Sequence, residues 1–448
     1  MPAPRYKQLV DRFAEQIRSG ALPPGTRLPT HRTLAKEEHL ALATASRVYA
    51  ELESMGLISA EVGRGTFVRE TRVSPGQGID QSPTAPDMLD LNFNHPELPE
   101  QTELLRTALR QLAASGDLDA LLHYQPHAGR PHERAIVAEH LSTRGLAVTA
   151  EQLMLVSGAQ HGLAVALMST LRAGDVIAAD ALTYPGFKAI AQLLHLEVLA
   201  IPAGKAGPDL MALDALCQHR KIRALYCMPT LHNPLGWVMP RAQRKKLAAL
   251  ARQHDLLLIE DAAYAFLADA PPPPLYNFAP ERTLYVSGFS KSVATGLRVG
   301  YLVAPINRVA SLQRTIRATT WNTPALLTRI TCSWISDGTV QQLEQQKRSD
   351  AAARQQLARR VLHGLPWQGH PNAYFLWLRL PATVRAEQVV SALLQRNVSV
   401  SSAAPFVVGE HTPQAIRLAL GSLDITRLES ALYQVRAVLE AAECGALG

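Results

Sequence analysis

Lys291 lies in the stretch Tyr285-Val-Ser-Gly-Phe-Ser-Lys-Ser-Val-Ala-Thr-Gly-Leu-Arg298, downstream of Asn233, Asp261 and Tyr264. Its amine can form a Schiff base with an aldehyde. A carboxylate at Asp261 can keep a heteroaromatic nitrogen protonated and electron-withdrawing, and the Asn233 amide and Tyr264 hydroxyl can both hydrogen-bond a phenolic oxygen. Arg298 suits a phosphate through charge-assisted bonds. Gly158 and Ala159, expected to open a helix that continues through Gln160, offer free N–H groups as a second anion site. Taken singly these residues say little: lysines are mostly solvated, and Asn-Pro-x-Gly is commonly only a turn. Their joint order carries the signal.

Such groups need elements to bring them together. Apolar runs at 153–156, 176–179, 224–228, 256–259, 284–286 and 299–303 alternate with helical patterns such as 241–254. Short, continuously hydrophobic runs suit strands buried on both faces of a mainly parallel sheet. The groups at 158–160, 233, 261 and 291 then fall just past strand carboxyl ends, where open α/β sheets form ligand crevices.

The first seventy residues have a different pattern. Tyr6, Leu9, Val10, Phe13 and Ile17 repeat at helical spacing, with Gly20 as a stop and Pro23-Pro24-Gly25 as a turn. Thr30 can cap a short helix through Glu37, and a second helix is expected from about Ala41 to Met55, with Ala45, Val48, Tyr49 and Leu52 inward and Gly56 ending it. Leu57-Ile58 and Phe67-Val68 read as a hairpin through Val62-Gly-Arg-Gly65. Three helices and a hairpin make a winged helix-turn-helix. Residues 71–86 are polar and rich in Pro and Gly, the composition of a linker.

At 448 residues the chain exceeds one ordinary domain. Its net charge of +7 permits a nucleic-acid partner without requiring one. Residues 1–70 carry ten Lys and Arg against eight Asp and Glu, a balance of only +2, so DNA binding rests on motif and not on bulk charge. The four cysteines have no metal-ligand spacing, and no metal site is expected. No apolar run approaches the roughly 20 residues of a membrane span. With no signal-peptide core at the start, a cytoplasmic protein without membrane contact is expected.

The stretches Gly20-Ala-Leu-Pro-Pro-Gly-Thr-Arg-Leu-Pro-Thr-His-Arg-Thr-Leu-Ala35, Thr44-Ala-Ser-Arg-Val-Tyr-Ala-Glu-Leu52 and Gly63-Arg-Gly-Thr-Phe-Val68 resemble the GntR family of bacterial regulators. The resemblance implies that Arg32 and Thr44 contact DNA, that Arg47 makes a phosphate or a structural contact, and that Gly63, Arg64 and Gly65 form the wing tip. Ala41-Leu42 replaces the family's usual Ser-Arg, removing a candidate bidentate guanine contact.

Residues 88 to about 440 resemble class I aminotransferases of fold type I, an α/β fold with a smaller C-terminal subdomain. That resemblance implies pyridoxal 5'-phosphate (PLP) on Lys291, with Asp261 and Tyr264 serving its chemistry. It also implies Tyr184 stacked on the ring, Tyr124 reaching the phosphate of a neighbouring subunit in a homodimer, and Arg417 clamping an α-carboxylate. Gly288 stands where the family has Ser or Thr, leaving Ser287 and Ser290 as nearby hydroxyls. The combined plan is similar to the MocR subfamily: a winged helix-turn-helix at 1–70, a linker at 71–86 and an aminotransferase-like body at 87–448. It implies a transcription regulator that binds operator DNA and senses PLP or an amino-acid-like effector through an aldimine at Lys291. A working transaminase with an accessory head stays open beside it, because every group the half-reaction needs is present.

Overall fold

The computed structural model describes residues 5–18, 21–23, 26–55, 57–61, 65–68, 88–115, 118–204, 206–381, 383–409 and 411–443. The expected stops at Gly20 and Gly56, the second half of the Pro23–Gly25 turn, the wing residues Gly63 and Arg64, and the 71–86 linker lie outside them.

In the head, helices Arg5–Arg18, His31–Glu37 and Leu42–Ser54 precede strands Ile58–Glu61 and Gly65–Val68, which pair antiparallel. Thr30 caps the second helix, its hydroxyl accepting from the Thr33 N–H at 3.2 Å. Ala45, Val48, Tyr49 and Leu52 are buried as their spacing predicts and pack against Leu9, Val10, Phe13 and Ile17. Tyr49 is anchored further by its hydroxyl on the Pro29 carbonyl.

The body is built on a seven-stranded sheet in the order Leu153–Val156, Gly300–Val303, Thr283–Gly288, Leu257–Asp261, Ile222–Cys227, Val176–Asp180, Glu197–Ile201. Every neighbouring pair is parallel except the two made by Gly300–Val303, which runs antiparallel to both its neighbours. The six apolar runs all become strands. A seventh strand, Glu197–Ile201, lies on the sheet edge and is only partly buried; its apolar run Val198–Ile201 was not among the six. The strand expected at 224–228 begins earlier, at Ile222, because Arg223 points outward while both its neighbours are buried.

A second sheet forms the smaller subdomain, in the order Trp367–Gln368, Phe375–Arg379, Ala415–Ala419, Val398–Ser402, Leu89–Leu91. Its last strand, Leu89–Leu91, pairs parallel with Val398–Val400, so this early segment belongs to the C-terminal subdomain. The helix Thr339–Val361 spans both units. Near its middle, buried Lys347 donates to the carbonyls of Lys291 at 3.2 Å and Val293 at 2.6 Å. Two turns on, Arg354 donates to the carbonyls of Leu420 and Leu423, and Gln355 to those of Ala373 and Phe375. One rigid rod thus ties the lysine turn to the strands around Arg417.

Candidate functional site

A cavity of 510 Å³ opens where the large sheet meets the smaller subdomain. Asp261 ends its strand there, buried, and period-two alternation sends its neighbour Glu260 to the opposite face. Glu260 accepts from the N–H groups of Leu275 and Tyr276, whereas Asp261 faces the cavity. Burial pushes the Asp261 carboxyl up. Hydrogen bonds from the Tyr226 hydroxyl at 2.7 Å and the Ala263 N–H at 3.0 Å oppose that by favouring the charged form. Tyr226 is held flat against Phe187, with ring centroids 3.9 Å apart.

Asn233 follows the strand Ile222–Cys227 by a short segment pinned from beneath by Arg244. That fully buried arginine donates to the carbonyls of Met239, Pro273 and Pro229 and to the Thr230 hydroxyl. Its five donors in a rigid fork suit a loop rich in prolines, which offers carbonyls and few N–H groups. Asn233 faces the cavity with a buried Oδ1 that has no partner. Tyr264, nearly buried, meets Phe375 edge-on at 5.1 Å, and Tyr184 borders the same space at the start of helix Pro185–Leu193.

Lys291, partly buried, donates to the Asn94 carbonyl at 2.7 Å. Arg298 adopts a left-handed backbone with φ of 49° and reaches back to the Ser290 hydroxyl at 3.2 Å. Gly158 has φ of 84°, and a Cβ there would stand 2.7 Å from the Arg298 guanidinium. The guanidinium therefore lies directly against the opening of helix Ala159–Thr170, and cation and N–H groups share one corner. Gln160 anchors to the Gly186 carbonyl at 2.8 Å, leaving a buried, unpartnered Oε1.

The same packing explains Gly288. A Cβ at that position would press on the Gly300 Cα and the Val299 carbonyl, each at 3.0 Å. Of the two nearby hydroxyls, Ser287 is buried and donates to the Ala262 carbonyl, while Ser290 lines the cavity beside Arg298.

Arg417 lies on the smaller sheet, buried over the rings of Phe375 and Phe406, and donates to the Asn92 carbonyl at 2.9 Å. Its Nε has no partner. Residues separated by more than 250 positions, from Ala159 to Arg417, thus line one cavity. The sequence did not mark the Asn92–His95 segment, which lines the cavity and meets both Lys291 and Arg417 through its carbonyls. Backbone contacts leave no trace in side-chain type. Tyr226 and Arg244 were equally silent, each reading as an ordinary strand or helix residue.

Tyr124 is elsewhere: it is 84% exposed, outside the cavity, 5.2 Å from the Trp321 ring. In the head, Arg32 is exposed, Thr44 half-buried, and Leu42 is 48% exposed at the open end of its helix. Arg47 stacks its guanidinium over Tyr6 at 4.3 Å. Gly65, at φ of 120°, lies against the Arg27 side chain.

The residues fit PLP. The cavity brings together an amine, a buried carboxylate, an arginine at a helix opening lined by glycines, and an unpaired buried amide oxygen. Residues 86–434 match the family model of aminotransferase class I and II, and the chain belongs to that family. Residues 5–68 match that of the bacterial regulatory proteins of the gntR family, and the two in series make the MocR architecture. The chain is 28% identical to the HTH-type transcriptional regulator YdeF of Bacillus subtilis over 98% of its length and 95% of that protein's. It is 27% identical to the HTH-type pyridoxine biosynthesis transcriptional regulator PdxR of Corynebacterium glutamicum, covering 96% and 94%. Among solved structures, the α-aminoadipate aminotransferase LysN from Thermus thermophilus, complexed with N-(5'-phosphopyridoxyl)-L-leucine, superposes with a TM-score of 0.72 at 25% identity, over 80% of this chain and 93% of that one. The aminotransferase fold and its PLP-complexed neighbour imply PLP as the cofactor.

Proposed function

We propose that this chain is a PLP-dependent, DNA-binding transcriptional regulator, with its head at 1–70, a linker at 71–86 and its sensing body at 87–448. The observation that carries this reading is the pairing of a packed winged helix-turn-helix with a cavity lined by both Lys291 and Arg417. Bound PLP supplies an aldehyde that condenses with amines and a ring that withdraws electrons. Lys291 would hold it covalently, Asp261 would serve its pyridine nitrogen, and Asn233 and Tyr264 would hydrogen-bond its phenolic oxygen. Tyr184 covers the ring. The phosphate goes to Arg298, Ser290 and the N–H groups at Gly158 and Ala159, with Gln160 alongside. Arg417 takes the carboxylate of an amino-acid-like effector.

The head binds an operator through Arg32, Thr44 and the wing of Gly63, Arg64 and Gly65, with Arg47 bracing the helix against Tyr6. The protein works as a cytoplasmic homodimer. Exposed Tyr124 and Trp321 supply an aromatic patch at the subunit contact, which puts Tyr124 within reach of the neighbour's phosphate. An effector regulates only by binding two conformations unequally.

The test is a visible absorption spectrum of the purified protein with footprinting of its own upstream region at low salt. A coloured protein that protects a defined site is expected; a protein that stays colourless after incubation with PLP, or protects nothing, overturns the reading. A second reading, transamination, is favoured by Asp261, Lys291 and Arg417 facing one cavity. Steady keto-acid formation from an amino-acid and keto-acid pair would establish it.

A further inference from the structure

Lys347, in helix Thr339–Val361, is fully buried, and its ammonium bonds only main-chain carbonyls, those of Lys291 at 3.2 Å and Val293 at 2.6 Å. Among the described residues no ion pair reaches it. On its own helix Glu344 pairs with Arg144, and Asp350 with Arg354 at 2.8 Å. Glu97, on the loop after Asn92–His95, is exposed. Burial first, and then the charge of Lys291, push the Lys347 ammonium down to about 8, so it stays charged at neutral pH.

The main chain does not need that charge. The Val293 carbonyl already accepts from the Gln101 amide at 2.6 Å, and the turn closes on itself through the Val293 N–H and the Phe289 carbonyl at 2.7 Å. A neutral donor would satisfy the Lys291 carbonyl, and a buried ammonium without a counter-ion costs stability. What the position does provide is a cation beside the turn that carries the cavity's amine, and like charges at short range disfavour one another.

We propose that Lys347 is a positioning residue whose charge, acting through Lys291, opposes protonation of the nitrogen that carries PLP and so readies the site for ligands that arrive as ammonium ions. The ligand's ammonium gives its proton to that unprotonated nitrogen and is left with the lone pair it needs to attack. Lys347 itself does not line the cavity. From the cavity side the Lys291 nitrogen shares its space with His95, Asp261, Tyr184, Tyr264, Arg298 and Arg417, none of which changes in the variants below. The inference rests on PLP being held at Lys291.

The test is a pH titration of the visible spectrum of the full chain loaded with PLP, with borohydride reduction and peptide mass locating PLP in each variant. Lys347→Met removes the charge and nearly keeps the length. Its midpoint should rise by about one pH unit, a tenfold change, the order that two unit charges a side chain's length apart exert in a protein interior. Lys347→Gln, which keeps a donor for the carbonyls, should rise as well and covers a Met variant that does not fold. Lys347→Arg keeps the charge and should hold the unaltered midpoint. A lysine with a merely structural role would lower Tm when replaced and leave every midpoint in place. The inference is overturned by a midpoint that stays or falls in Lys347→Met or Lys347→Gln, by an equal rise in Lys347→Arg, or by PLP recovered on Lys347. Should no PLP bind, the reading of the site falls, and the inference is decided on the bare amine. Trace acetylation of Lys291, followed by mass spectrometry, should then move to higher pH in Lys347→Gln, and an identical profile overturns it.

Discussion

The Arg417 guanidinium donates to the Asn92 carbonyl at 2.9 Å, so the group suited to clamp a ligand's carboxylate is held by the segment just after strand Leu89–Leu91. A carboxylate is the stronger acceptor, because a bond between two ions exceeds one to a neutral carbonyl. A ligand bearing one competes directly with Asn92.

Arg417→Ala should therefore abolish preference for an amino acid over its decarboxylated amine. Loss of a charge-assisted hydrogen bond costs about 1.5–3 kcal/mol, roughly a 10- to 100-fold loss of affinity for the amino acid with little change for the amine. Spectral titration of both ligands at the PLP band reads this out.

Tyr226→Phe removes the hydroxyl that donates to Asp261. The buried carboxyl then loses a bond that favours its charged form, and its tendency to stay protonated grows. PLP affinity should fall by about tenfold or more, the weight of one hydrogen bond to a charged group. Equilibrium dialysis against PLP measures it.

Gly288→Ser restores the residue usual in the family yet should weaken this protein. The new Cβ presses on the Val299 carbonyl and Gly300 Cα, which are backbone and cannot rotate aside. Overpacking of this kind costs about 1–3 kcal/mol. Denaturant unfolding should show the loss, with no gain in PLP affinity.

The Asp180 carboxyl, pushed up to about 7 by burial, makes stability depend on pH. The folded state binds its proton more tightly than the unfolded chain does. The stabilisation is complete below the ordinary carboxyl value and is lost as pH rises toward 7. Asp180→Asn should flatten the Tm profile between about pH 4 and 7, removing on the order of 2–4 kcal/mol of pH-dependent stability. An unchanged slope would show that Asp180 ionises normally.

Much of this molecule was legible in the chain because its physics is local. The six continuous apolar runs mark six strands of the large sheet, and Ala45, Val48, Tyr49 and Leu52 reveal one helix face by spacing alone. Asp261 and Lys291 stand out by type and by position at or just past strand ends, and both line the cavity. The Glu197–Ile201 strand went unmarked although Val198–Ile201 is apolar, and the apolar run Leu163–Met168 lies in helix Ala159–Thr170, so a short run alone does not separate strand from buried helix.

What the residues determined alone is the inventory: a winged head, an α/β body, and the amine, carboxylate and arginines of the cavity. Only the tertiary structure decided what those groups touch. Asn92 and Asn94 meet Arg417 and Lys291 through carbonyls that every residue has. Ser287 and Ser290 are alike in type, and packing alone separates the one that ties down Ala262 from the one beside Arg298. Arg385 is an unremarkable surface cation by composition, and it becomes a buried anchor only when Asp11 and Glu51 arrive from more than three hundred residues away. Side-chain identity sets which bonds a group can make, and burial and approach, which depend on the whole chain, set which bonds it does make.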